Sequence, residues 1–393
     1  MKFMWFFSMA IACLIGSCTK EKSVPNTGSF IKTYDSDSVD NAIYVAQTND
    51  EGYLILANHG SGRPMLLRTD KAGNLIKRTI VDRYIFNTNA GTYWWFNPMD
   101  GTHFILQQGG NVSDIDTAGN ILYYNYISYW TMTNMSAIVP VGNGYVLPAT
   151  DGYRNGGPGN NEMILLNKNL KINLGGFAMN DNLFGGKILY YFCYGGNSDG
   201  SYNIWGMKFL NNKWSWSDNT RLFMAKVIPN VKVTQVLIDS AETKTSDNVN
   251  WQTVTPDSGV IALSVRTDNS KNYNYPFIFK ADKNQHLLWE NSFPKPGFTI
   301  DPINVHYCSD GSTIMLGNIL ALGDLDNKPY VLKIDKSGNK VWDKTIDCPS
   351  RGALFNAIET KDGGLALIGN TTGFGNASRG SRTLFIKLDG NGN

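Results

Sequence analysis

Charge is scarce in this chain of 393 residues: Lys, Arg, Asp and Glu together make 17% of it, and 35 basic against 33 acidic side chains leave a net charge of +2. No basic run stands out, which argues against a nucleic-acid partner. Histidine is scarcer still. His59, His103, His286 and His306 include none at metal-ligand spacing to Cys or Asp, so no metal is expected. No nucleophile elbow, phosphate loop or haem attachment site appears; no catalytic residue is nominated and no cofactor is expected. Five cysteines are too few for a disulfide framework. Cys13 and Cys18 belong to the N-terminal segment, and an odd three, Cys193, Cys308 and Cys348, remain. A Cys308–Cys348 bridge stays open beside buried free thiols, the reading preferred for Cys193 in "ILYYFCY". Finally, the apolar stretch at 3–17 is too short for a comfortable membrane span and is followed at once by polar residues.

That stretch follows Lys2, and the order of charge, apolar run and small residues reads as a signal segment over 1–17. It ends in "IGSC" at 15–18, which resembles a bacterial lipobox. The resemblance implies cleavage before Cys18, a lipid thioether on Cys18 and an acylated new N-terminus, hence a membrane partner through lipid. An ordinary secretory signal with a coincidental Cys is the alternative. Residues 18–28, "CTKEKSVPNTG", are expected to be a lipid-anchored leash. Lys20 and Glu21 in it resemble the short charged surface-export signals of lipoproteins in the Bacteroidota, although a solvated tether reads equally well.

What the chain does have is glycine, aromatics and turn residues: 40 Gly, and 12% Phe, Trp and Tyr. Many short strands joined by turns suit that mix; helices do not. The units at 41–80, 303–346 and 355–393 share one order of parts. An apolar strand leads to a tight Asp/Asn-Gly turn, then come a second strand, a polar loop, a third strand ending in Asp, an "xxGN" turn and a fourth strand. Taking Gly52, Gly101, Gly144, Gly186, Gly259, Gly311 and Gly363 as anchors gives intervals of 49, 43, 42, 73, 52 and 52, the range of a four-stranded propeller blade. The interval of 73 implies an insertion, placed within 218–246, and the Gly186 unit has no clear first strand. Glycine is expected to take the positive φ in both turns, at Gly73, Gly119 and Gly338 among others, and "DKNQH" at 282–286, lacking it, to be strained.

The last unit stops at "TLFIKLDGNGN" without a fourth strand, while "GSFIKTYD" at 28–35 has no unit of its own. The simplest reading is that the N-terminal strand completes the last blade. The fold expected is all-β, a seven-bladed β-propeller over 29–393 closed by that strand; an open solenoid with a stray strand is the alternative. "KDGGLALIG", "FIKLDGNGN" and "LKIDKSGNKVW" resemble the propeller-repeat lipoproteins of the Bacteroidota, over about 28–393 with a weak middle. The resemblance implies the fold and an extracytoplasmic location, lipid-anchored to the outer membrane, and no activity.

Loops between second and third strands are long where the other turns are tight, and with the long connections between blades they emerge on one face. A ligand is expected there. The candidate binding residues are Tyr153, Arg154, Tyr202, Tyr273, Tyr275, Arg379 and Arg382, since Tyr and Arg among Asn and Ser stack on sugars or anchor a protein partner. Each taken alone also suits packing of its own loop. Other aromatics, "YWWFN" at 93–97 and "YYFCY" at 190–194, read as sheet packing. The function expected is a non-enzymatic binding module for a glycan or a protein. Two alternatives stay open: a glycosidase or lyase using loop acids such as Asp151, Glu162, Asp268, Asp324 and Asp326, and a structural subunit of an envelope complex. Acid spacings at 35–40 and 324–328 resemble a calcium loop only faintly.

Overall fold

The structure, a computed structural model, describes residues 28–34, 40–60, 63–80, 94–98, 103–108, 111–116, 120–126, 132–135, 139–141, 144–151, 161–169, 171–179, 188–196, 202–209, 220–228, 232–237, 247–257, 259–268, 273–284, 286–348, 351–372 and 380–393. These residues form 29 strands and no helix. The strands make seven antiparallel sheets.

The first sheet comprises β2 (Asp40–Gln47), β3 (Tyr53–His59), β4 (Arg63–Thr69) and β5 (Leu75–Ile80). The second holds β6 (Trp94–Pro98), β7 (His103–Gln108), β8 (Asn111–Asp116) and β9 (Ile121–Tyr126). In the third, β10 (Met132–Met135) and β11 (Val139–Val141) both pair with β12 (Gly144–Asp151), followed by β13 (Asn161–Asn167) and β14 (Ile172–Met179). The fourth is β15 (Ile188–Gly196), β16 (Tyr202–Phe209), β17 (Thr220–Ile228) and β18 (Lys232–Leu237). The fifth is β19 (Asp247–Val254), β20 (Val260–Asp268), β21 (Tyr273–Ala281) and β22 (Leu287–Ser292). The sixth is β23 (Phe298–Tyr307), β24 (Thr313–Ala321), β25 (Lys328–Ile334) and β26 (Lys340–Thr345). The seventh runs β27 (Gly352–Glu359), β28 (Leu365–Thr371), β29 (Arg382–Leu388) and then β1 (Phe30–Tyr34), from the other end of the chain.

β1 pairs with β29 antiparallel, Phe30 opposite Lys387 and Ile31 opposite Ile386. One of the anchors of the repeat moves. Gly186 lies before β15, the first strand of the fourth sheet, so the equivalent turn falls between β15 and β16, where the sequence reads "NSDG". The segment 218–246 is correspondingly no insertion: it carries β17 and β18. With Gly200 in place of Gly186, the intervals of 42 and 73 become 56 and 59.

The middle strands are buried on both faces, which is why they read as apolar runs rather than alternating ones. Leu54, Ile55, Leu56 and Ala57 are all inaccessible. The core consequently lies between sheets. Ile55 and Leu67 of the first sheet pack with Ile368 and Phe385 of the seventh, and Leu316 and Val331 of the sixth pack with Leu367 and Leu384. Each such side chain contributes roughly 1.5–3 kcal/mol of burial. Cys308 and Cys348 are free thiols within that second group; Cys193 is on β15. First strands meet in series, β15 with β19, β19 with β23, β23 with β27, and β27 with β2.

Turn chemistry accounts for the hairpins. Asp70, Asp335 and Asp389 each accept the backbone N–H of the Asn four residues on, at 2.7–2.8 Å. Gly73, Gly338 and Gly392 supply the positive φ of those turns. Gly119 and Gln285 lie outside the described residues, so the strain expected at "DKNQH" is not located; Asp282 still accepts the His286 N–H there at 2.8 Å. In the other turn the expectation holds at Gly311 and Gly363, with φ of 85° and 75°, and needs correcting at 49–52. Glu51, not Gly52, has the positive φ of 64°. Gly52 is required for another reason: a Cβ there would fall on the carbonyl oxygen of Thr69.

Neighbouring sheets interlock by repeated contacts. A Cβ on Gly338 would stand 2.8 Å from the Trp289 ring, one on Gly392 3.2 Å from Trp342, and one on Gly73 2.6 Å from Phe30. The outer strand of the fifth, sixth and seventh sheets thus lays an aromatic ring on the next sheet's hairpin glycine. Near the first strands, buried Asn304 donates to the Phe355 carbonyl at 2.8 Å. Glu359 accepts from the Ser309 N–H at 2.7 Å, and Gln47 accepts from the Lys361 N–H at 2.8 Å.

Candidate binding face

Two ends of the molecule differ. One carries the tight turns joining first to second and third to fourth strands. The other carries the connections between second and third strands. These are long in the third, fourth, sixth and seventh sheets, but short in the first, second and fifth, where only 60–62, 109–110 and 269–272 separate the strands, which corrects the expectation that all are long. β21 begins at this second end, and Tyr273 is its first residue.

Sequence places Tyr273 and Tyr275 in a loop; the structure puts both on β21. Tyr273 stands opposite Asp268 and Tyr275 opposite Arg266. The polar run before them looked like loop, yet β20 continues to Asp268 and leaves only residues 269–272 between the strands. Side chains two apart share a face of a strand. Tyr273, Tyr275, Phe277 and Phe279 therefore form one row. Phe277 and Phe279 are buried with Met224 of the fourth sheet, so the row runs from that core out to the rim. At the rim the two tyrosine rings lie 5.7 Å apart at 48° and are half-buried. Arg266 lies over the Phe277 ring at 3.5 Å, a cation–π contact that continues the row on the neighbouring strand.

Asn274, on the opposite side, fixes the start of β21. Its backbone N–H donates to Thr299 Oγ1 at 3.0 Å, and its Nδ2 donates to Asp301 Oδ1 at 2.9 Å. Both partners are on β23, so the tyrosines stand on a strand braced by the next sheet. Around the same end, Asn370 donates to Asn41 at 2.9 Å, and Arg351 pairs with Asp326 at 2.9 Å.

The remaining candidates divide. Arg382 opens β29 opposite Thr371, at the same end as Tyr273. Tyr202 does not belong there. It opens β16 opposite Gly196 and Val227, at the tight-turn end, an error that follows from the misplaced Gly186 anchor. Tyr153, Arg154, Arg379 and Cys18 lie outside the described residues. Of the acids, Asp151 ends β12, Glu162 lies within β13 opposite Ala149 and Asp268 ends β20; these are strand rather than loop positions. Asp324 accepts from the Leu325 N–H at 2.7 Å within its own loop.

One serine, histidine and acid do come together, away from this face. Ser309 Oγ donates to Glu359 at 2.9 Å, and the Glu359 N–H points at His306 Nε2 at 3.2 Å. The imidazole lone pair is thereby directed at a backbone N–H rather than at the hydroxyl. Burial lowers the His306 pKa against the opposing pull of Glu359, which suits a neutral, structural imidazole. Among the described residues, no three His, Cys, Asp or Glu side chains are placed to hold a metal ion.

No protein-family model matches the chain, and no curated protein matches it. Solved structures do. A puromycin hydrolase superposes with a TM-score of 0.50 at 10% identity, over 84% of this chain and half of that one. A protein of unknown function from Bacteroides caccae covers 79% of this chain and 94% of its own at a TM-score of 0.42 and 8% identity. Cobalt-substituted ACO of Synechocystis covers 78% and 71% at 0.46 and 11%. The likeness to the hydrolase is one of fold alone: the chain is an all-β, propeller-like protein.

Proposed function

We propose that this chain is a lipid-anchored extracytoplasmic binding module of the bacterial envelope, a closed seven-bladed propeller that presents its long-connection face to a glycan or protein. The observation that carries the binding assignment is the Tyr273–Tyr275 pair, held at the rim by a braced strand. Rigid aromatic rings with polar neighbours offer contact area at low entropic loss. Ring closure is supported by β1, whose Phe30 meets the first sheet's hairpin as Trp342 meets the seventh's. The lipid anchor rests on "IGSC" and the outer-membrane location on the resemblance to Bacteroidota lipoproteins.

The test is a glycan array probed with the intact chain and with its Tyr273→Ala/Tyr275→Ala variant, with turnover of each bound glycan followed by product analysis. A glycan retained by the parent and lost by the variant, without turnover, supports the module. Turnover of a bound glycan would replace it with the glycosidase or lyase reading. The anchor is tested separately: Cys18→Ala should release the protein from the membrane fraction or leave it unprocessed, and unchanged retention with normal processing would sink the lipobox.

A further inference from the structure

The end of the molecule opposite the tyrosines has a character of its own. In the first, fifth and sixth sheets the hairpin between third and fourth strands projects a lysine at the same place, Lys71, Lys283 and Lys336, all exposed, where the seventh has Gly390. The Asp preceding each lysine is turned inward, accepting backbone N–H groups of its own hairpin. The outer strand that follows then shows apolar side chains to solvent within its first two residues. Ile76 is 62% exposed, Leu288 52% and Val341 54%. Leu75, Leu287 and, on β1, Ile31 are exposed beside them.

These positions belong to the fifth, sixth, seventh and first sheets, which pack on one another in that order. They form a continuous arc. The segment before residue 28 joins the molecule in the middle of it, because Ser29 Oγ donates to the Asn393 carbonyl at 2.8 Å, at the last hairpin of this end. Residues 19–27 reach at most about 30 Å when fully extended. A lipid on Cys18 would hold this end, not the tyrosine end, against the bilayer.

We infer that the arc of hairpins carrying Lys71, Lys283 and Lys336 and the apolar residues Ile76, Leu288 and Val341 docks on an anionic lipid surface, leaving the tyrosine face directed away from it. The inference rests on the proposed lipid on Cys18. Lysine tips above apolar residues match the two layers of a bilayer interface. The ammonium groups meet lipid phosphates and the apolar side chains enter just beneath them.

The experiment uses the full chain in its own membranes. Ile76→Cys, Leu288→Cys and Val341→Cys are each treated with a membrane-impermeant maleimide, with Leu325→Cys as a control at the tyrosine end, where Leu325 is 79% exposed. The three arc cysteines are expected to react several-fold more slowly in membranes than after detergent extraction, with Leu325→Cys unchanged. Changing all three lysines to Glu should abolish that protection. A retained chain whose four cysteines react alike overturns the arc and leaves the anchor standing. Protection that persists in detergent overturns the lipid surface in favour of a protein contact. A chain that is not retained by membranes overturns the anchor and this inference together.

Discussion

Phe30 lies on Gly73. A Cβ at Gly73 would stand 2.6 Å from the ring, and φ at that glycine is 72°. Gly73→Ala therefore meets both a clash and an unfavourable backbone, and should cost roughly 1–3 kcal/mol. Gly363→Ala, with φ of 75° and open space around its Cβ, should cost only the backbone part, about 1 kcal/mol. Denaturant titration of both variants separates the two contributions. Equal losses would show that the ring contact is not tight.

Removal of β1 tests the joining of the chain ends. Phe385 sits among Phe30 at 5.1 Å, Tyr34 at 6.4 Å and Tyr53 at 4.9 Å. Deleting residues 29–34 exposes that ring and the edge of β29, and should lower stability by several kcal/mol, about the scale of Phe→Ala in a core. Deleting 19–27 should change almost nothing. Similar melting temperatures for the two deletions would remove β1 from the fold's support.

Stability should fall in acid. The Asp50 carboxyl, held first by the Thr48 hydroxyl and then by Arg68, is lowered to about 2. The Asn74, Asn339 and Asn393 N–H groups lower Asp70, Asp335 and Asp389 in the same direction. Folded carboxyls below the unfolded value of about 3.9 bind fewer protons than the unfolded chain there, so their contribution is full above that value. It is lost as the pH drops through the folded values. Melting temperatures measured from pH 7 to pH 2 should stay level to about pH 5 and then decline. Asp50→Asn should flatten the lowest part of the decline, and an unchanged curve would contradict its assignment.

A buried lysine makes the fourth test. Lys387 is 3% exposed, and its Nζ donates to Asp362 at 3.0 Å and to the Leu388 carbonyl at 3.1 Å. Asp362→Ala leaves an ammonium with a single neutral acceptor and should cost roughly 1–3 kcal/mol. Lys387→Met fills the same space without a charge and should cost less. The reverse order, read from urea midpoints, would mean that the pair matters less than the hydrocarbon stem.

The same ion pair explains how much of the fold was legible. "KDGG" and "IKLD" stand out in the sequence because Asp362 of the first holds Lys387 of the second, as Asp50 holds Arg68 and Asp310 meets Lys333 at 3.5 Å. The Trp of "GNKVW" recurs because it covers the next hairpin's glycine. Such local chemistry leaves marks at fixed spacing. β17 and β18 carry none: they are joined through "PNV" without an Asp-Gly turn, so they passed for an insertion, and Tyr202 went to the wrong end with them. The end that carries the tyrosines was legible as an end. Its tyrosines were misplaced because a ladder partner such as Asp268 for Tyr273 is a long-range pairing that no short motif encodes.

The aromatic-on-glycine contacts of the fifth, sixth and seventh sheets all run one way, from a sheet to its successor, which makes them head-to-tail joints. Such joints either close on themselves or continue from molecule to molecule. In this chain the joint between the seventh and first sheets passes through β1, a strand of five residues held to β29 by its backbone ladder. Were it to lift, the edge of β29 would be open to β1 of a second copy, which could form the same ladder. Strand exchange between copies is the liability expected of joining the first and last sheets through the chain's own beginning.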